Sequence, residues 1–126
     1  MPFKFLEKVS LADVAFQVSG KTLEELFSAA GLAVAATQIK NYKSIKPKTK
    51  KIFRLKGESI EQLLFKFLDE LVFLKDKDLL LFNKFSGEKL DTKRHISLVD
   101  VKAVTMHLFE VRKSGKGWKA KVVLDV

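Results

Sequence analysis

At Ser19 and Gly20 the hydrophobic period of the chain changes abruptly, and a chain that does this must build a strand and a helix from adjacent segments. Val14, Phe16 and Val18 alternate with Ala15 and Gln17, the period-two pattern of a half-buried strand that ends at Ser19 and Gly20. Immediately afterwards Thr22 and Glu25 have the spacing of a capping box, and Leu23, Leu26, Phe27, Ala30 and Val34 fall on one helical face. The spacing predicts a helix over residues 22–36. Residues 26–39 form the longest uncharged run, 14 residues rich in Ala, Gly, Thr and Gln. That is short of the roughly 20 apolar residues a membrane span needs, so it reads as a buried helix.

A second helix starts at Ser59, where Gln62 repeats the capping-box spacing. Its apolar set of Ile60, Leu63, Leu64, Phe67, Leu68, Leu71, Val72 and Leu74 is wider than one stripe, as expected of a core helix packed on two sides. Residues 79–85 read as a strand, with Ser86 and Gly87 as a turn and a short return over 89–91. Residues 102–112 and 117–125 flank a Ser-Gly-Lys-Gly turn at 114–117. In the latter segment Trp118, Ala120, Val122 and Leu124 alternate with Lys119, Lys121 and Val123, so the pair is a hairpin.

The order of elements, strand, helix, strand, helix and then several strands, predicts an α+β fold: a mixed β-sheet with two helices packed on one face. No repeat, low-complexity tract or long linker divides residues 1–126, which read as a single domain. With 126 residues and 47% hydrophobic composition the chain has enough apolar mass for a core that buries about two-thirds of the unfolded surface. The absence of cysteine excludes disulfide scaffolds, thiolate zinc sites and cysteine nucleophiles. It also fits a reducing interior, and with no uninterrupted apolar stretch at the N-terminus the expected location is the cytoplasm.

The excess charge is local. Lys40, Lys43, Lys46, Lys48, Lys50, Lys51, Arg54 and Lys56 occur without one acid between them, and apart from these eight cations the chain carries 16 basic against 15 acidic residues. The stretch reads as a loop, interrupted by Pro47, that feeds an edge strand over 51–56. A clustered positive loop favours phosphate-rich partners. Only Tyr42 and Phe53 accompany the lysines, few stacking rings for a single-strand platform, and the same pattern also suits a solvated loop that keeps an edge strand from pairing.

Asp13 lies inside an otherwise apolar segment, and Asp125 follows Val122, Val123 and Leu124 next to Val126. A carboxylate in a buried segment needs a partner, because an unpaired desolvated charge costs several kcal/mol. Two aspartates with the carboxylate of Val126 have the oxygen chemistry that Ca²⁺, Mg²⁺ or Mn²⁺ takes. Equally, Asp13 suits a turn or bulge and Asp125 a solvated strand end. His95 and His107 stand apart without a ligand cluster, Asp69 with Glu70 and Asp76 with Asp78 suit solvated helix positions, and no glycine-rich phosphate loop precedes a helix. Lys102, among apolar residues, suits an edge position with a snorkelling stem.

Several segments together resemble the archease family. They are Leu11, Ala12, Asp13 and Val14; residues 20–27; Leu63 and Leu64 with residues 67–71; Val101 to His107; and Trp118 with the closing Leu124, Asp125 and Val126. The resemblance covers nearly the whole chain. It implies a small α/β protein, not itself an enzyme, that activates an RtcB-type RNA ligase of tRNA splicing and RNA repair by promoting its guanylylation. It also implies a divalent cation, typically calcium, held by Asp13, Asp125 and the carboxylate of Val126. The first motif departs from the family's usual His-Thr-Ala-Asp followed by Gly: here Ser10, Leu11, Ala12 and Asp13 precede Val14 and Ala15. Phe67 and Asp69 stand where the family commonly has Trp and Asn. The competing readings are a stand-alone RNA-binding or adaptor module that uses the basic loop, and a metal-dependent phosphodiesterase, for which no general base or nucleophile accompanies the aspartates.

Overall fold

The computed structural model describes residues 3–6, 13–46, 48, 54–83, 86–89, 93 and 96–126. The first change of period forms as the sequence expects. Strand β2 (Asp13–Gly20) leads through Lys21 and Thr22 into helix α1 (Leu23–Gln38), whose N-terminus is capped by the Thr22 hydroxyl accepting from Glu25 N at 3.1 Å. The Glu25 carboxylate accepts in turn from Lys21 N at 2.7 Å, so one orphan donor of the first turn and the amide just before the cap are both satisfied. Gly20 permits the close approach: a Cβ there would lie 2.6 Å from Leu26 N. The helix runs two residues past its expected end.

Helix α2 (Ile60–Asp78) opens the same way, with the Ser59 hydroxyl accepting from Gln62 N at 3.1 Å. It closes on Leu79 in the left-handed conformation at φ 55°. Strands β3 (Leu80–Asn83) and β4 (Ser86–Lys89) then form a separate two-stranded antiparallel sheet. Ser86 and Gly87, expected as the turn, are the first residues of β4; the connection at 84 and 85 lies outside the described residues, as do 90 and 91 of the expected return. Finally β5 (Ala103–Ser114) and β6 (Gly117–Asp125) make the expected hairpin about a turn in which Gly115 takes φ 59°.

A first strand, β1 (Phe3–Phe5), had no signature in the sequence because three residues are too few to show a period. It pairs with β2 and makes the order of the main sheet β1-β2-β6-β5. The α+β class and the two helices on one face are present. The sheet is not mixed, however: every described strand pairing is antiparallel. A mixed sheet needs a parallel pair, whereas α1 leads out of the main sheet and α2 delivers the chain to the separate hairpin. The edge strand expected over 51–56 is absent at Arg54, Leu55 and Lys56, and its beginning lies outside the described residues.

Register decides which face is core. Phe16 and Val18 stand opposite Val122 and Ala120, and this face packs against Leu26, Ala30 and Ala33 of α1 and Leu64, Leu68 and Leu71 of α2. Ring contacts tie the layers together: Phe27 to Phe67 between the helices at 5.5 Å, and Phe65 of α2 to Phe109 of β5 at 5.6 Å. A smaller cluster of Ala35, Ile39, Ile45 and Leu81 joins the end of α1 to the small hairpin. The alternate residues of β2 and β6, Asp13, Gln17, Lys119, Lys121 and Asp125 among them, therefore occupy the face away from the helices.

Candidate metal centre

Asp13 and Asp125 are 112 residues apart in sequence, and β2 pairs with β6 so that they stand directly opposite one another. Facing residues in an antiparallel pair have Cα atoms about 4.5–5.5 Å apart, close enough for both side chains to reach one ion. Asp125 is braced from its other side as well. It faces Ala103 of β5, and its carbonyl accepts from Lys102 N at 2.8 Å. Both aspartates and the adjoining Val126 are half-buried, so the carboxylates are partly screened from water yet reachable.

Two like charges set directly opposite on a sheet repel, at a cost of the order of 0.2–1 kcal/mol. A divalent cation between them reverses the sign of that interaction, and paired carboxylates are the hard oxygen donors calcium and magnesium prefer. The donors fit such an ion. Among the described residues no group of three or more His, Cys, Asp or Glu is gathered. An ion held here would meet two acidic side chains, Asp13 and Asp125, among the described residues.

The basic stretch is placed differently. Lys40, Lys43, Lys46, Lys48, Arg54 and Lys56 are exposed, while Lys50 and Lys51 lie outside the described residues. A single 3₁₀ turn (Tyr42–Ser44) opens the segment, and the Tyr42 ring rests 6.1 Å from Phe3. The loop therefore starts against edge strand β1, beside Phe3, whose partner in β2 is Val18 rather than Asp13. Ile45 anchors it in the smaller core. Lys102 is exposed, as its pattern suggested, and so is His107; His95 lies outside the described residues.

Sequence reasoning missed the buried lysine that is present. Lys75, in the last turn of α2, is only 7% exposed. Its ammonium donates to Asp100 Oδ1 and to the Val101 carbonyl at 2.9 Å, and pairs with Asp76. Desolvation by burial acts to lower its pKa, but the hydrogen bonds and charges of Asp100 and Asp76 outweigh it and hold the pKa above the ordinary lysine value. The side chain clamps the segment that enters β5 to the end of α2. An acid at position 100, one residue before a fully buried Val101, was the available signal.

No described helix is long and apolar enough to cross a membrane. Residues 3–126 match the family model described as the Archease protein family (MTH1598/TM1083). The protein archease of Methanosarcina barkeri is 35% identical over 133 aligned residues, which cover 91% of this chain and 90% of that protein. That of Pyrococcus furiosus is 33% identical, covering 91% and 93%. The solution structure of protein 1598 of Methanobacterium thermoautotrophicum superposes with a TM-score of 0.80 at 28% identity, covering 99% of each chain. A crystal structure from Thermotoga maritima, described as an archease and possible chaperone, shares the fold with a TM-score of 0.63 at 20% identity, covering 96% and 98%.

Proposed function

Since the chain belongs to the archease family, we propose that it is a non-catalytic, divalent-cation-binding activator of an RtcB-type RNA ligase, promoting guanylylation of the ligase and its turnover in tRNA splicing and RNA repair. The observation that carries this reading is the pairing of Asp13 with Asp125 across β2 and β6, which supports the metal set the family resemblance implies. Asp13, Asp125 and the carboxylate of Val126 would hold the ion, calcium foremost, with magnesium or manganese as alternatives. When bound, the cation supplies a fixed positive charge of the kind that neutralises phosphate oxygens.

The rest of the work falls to the chain itself. β5 and β2, hydrogen-bonded on either side of β6, keep the backbones of the two aspartates at one spacing, which lowers the ordering cost when a ligand arrives. The exposed cations from Lys40 to Lys56 would meet the RNA that the ligase carries, by the charge attraction any polyphosphate exerts. The test is the rate of ligase guanylylation with GTP and manganese, with and without this protein. We expect acceleration, and its loss in Asp13→Ala and Asp125→Ala. No acceleration from a folded, calcium-loaded sample would defeat the proposal.

A further inference from the structure

The face of the main sheet opposite the helices carries a second concentration of charge, built from residues scattered along the sequence. Register sets Gln17 opposite both Lys4 of β1 and Lys121 of β6, and sets Lys121 opposite Glu110 and Lys119 opposite Arg112 of β5. Gln17, Glu110, Arg112, Lys119 and Lys121, with Leu6 at the rim, line one open groove of about 360 Å³. Lys4, Glu110 and Arg112 are exposed, and Gln17, Lys119 and Lys121 half-exposed. Among the described residues that line it Glu110 is the one acid; it stands opposite Lys121 and 3.6 Å from Arg112, so three cations meet one carboxylate.

From this arrangement we infer that the groove is a binding site for the phosphate backbone of single-stranded RNA, separate from the basic loop and independent of any ligase. Charge complementarity selects the class of ligand: cations dominate the groove, and the amide of Gln17 adds a neutral donor. Geometry selects a strand over a lone anion. Lys119 and Lys121, two residues apart on one strand, are separated by about 6.8 Å along it, comparable to the step between successive phosphates of a single strand. Arg112 and Lys4 continue the row across the sheet to either side. Among the described residues no aromatic ring lines the groove, so it holds the backbone without stacking the bases, and its binding is indifferent to sequence.

Fluorescence anisotropy of a fluorescein-labelled oligo(U) 20-mer, titrated with the full chain in 50 and 200 mM KCl, tests the inference. Neutralising three phosphates gives a slope near −2 in log K against log salt, so affinity falls roughly 20-fold between the two conditions. Lys119→Glu with Lys121→Glu should weaken binding at least tenfold at the lower salt and flatten the slope. Glu110→Gln should tighten it about threefold, a gain that misfolding cannot imitate. Lys43→Glu with Lys46→Glu, in the loop, should weaken binding by less than the groove pair does. The inference is overturned if the parent chain does not bind, if the loop variant takes the loss instead, or if Glu110→Gln leaves affinity unchanged. It is also overturned if polyglutamate competes as well as unlabelled oligo(U), which would make the groove a contact for acidic protein.

Discussion

Three side chains have effects that separate cleanly. Asp13→Asn keeps the shape of the carboxylate and removes its charge. In EDTA its stability should stay within about 1 kcal/mol of the parent, whereas the rise in Tm on adding calcium should disappear; a site at 100-fold its Kd contributes about 2.7 kcal/mol. Differential scanning fluorimetry reads both. Lys75→Met keeps the packed stem of Lys75 but leaves the Val101 carbonyl without its 2.9 Å donor, which costs about 1–3 kcal/mol by urea denaturation. Because the folded pKa of Lys75 is raised above 10.5, its contribution is complete below that value and is lost as pH rises through the folded pKa. The difference between parent and variant should therefore be constant from pH 7 to 10 and shrink above it. Leu79 is 55% exposed and held at φ 55°, so Leu79→Gly should stabilise the protein by about 1 kcal/mol, seen as a higher urea midpoint. Of these residues only Asp13 announced itself in the sequence. Lys75 and Leu79 look ordinary there, because burial and backbone sign depend on what packs around a residue and not on its neighbours in the chain.

At the scale of elements, the two helices were legible because their starts are written locally: Thr22 with Glu25 and Ser59 with Gln62 cap within one turn. The join between β2 and α1 is tighter than its spelling suggests. In Gly20→Ala the new Cβ would meet Leu26 N at 2.6 Å and Glu25 Cβ at 2.9 Å, both in the first turns of α1. Moving the helix start should cost about 1–3 kcal/mol, measured as a lowered urea midpoint with unchanged slope. The hairpin of β5 and β6 was legible from alternation, but the break in its register was not. Between Thr105 and Glu110 the β5 chain spends extra residues that β6 does not match, and Leu108 there takes φ 58°. The apolar Met106 and Leu108 are exposed in that bulge, against the alternation a regular strand would keep. In the small hairpin Ser86 and Gly87 carry turn chemistry yet pair with Asn83 and Phe82 as the first residues of the return strand.

Over the whole molecule, stability should be uneven in a way the layers dictate. Val122, Val123 and Leu124 are fully buried in a strand paired on both sides, while β3 and β4 pair only with each other among the described strands. Native-state hydrogen exchange should find the amides of Val122 and Leu124 exchanging only through global unfolding, and those of β4 through a smaller opening. Equal protection of the two sheets would contradict this layering. The sequence by itself determined the two helices, the closing hairpin, the α+β class and the local excess of positive charge, because capping and period act over three or four residues. Only the tertiary structure decided the all-antiparallel order, the facing of Asp13 with Asp125, and the basic groove of Arg112, Lys119 and Lys121. Each of these is a register between strands distant in the chain, and register is chosen by which faces can be buried together, a property of the packed sheet that no single segment contains.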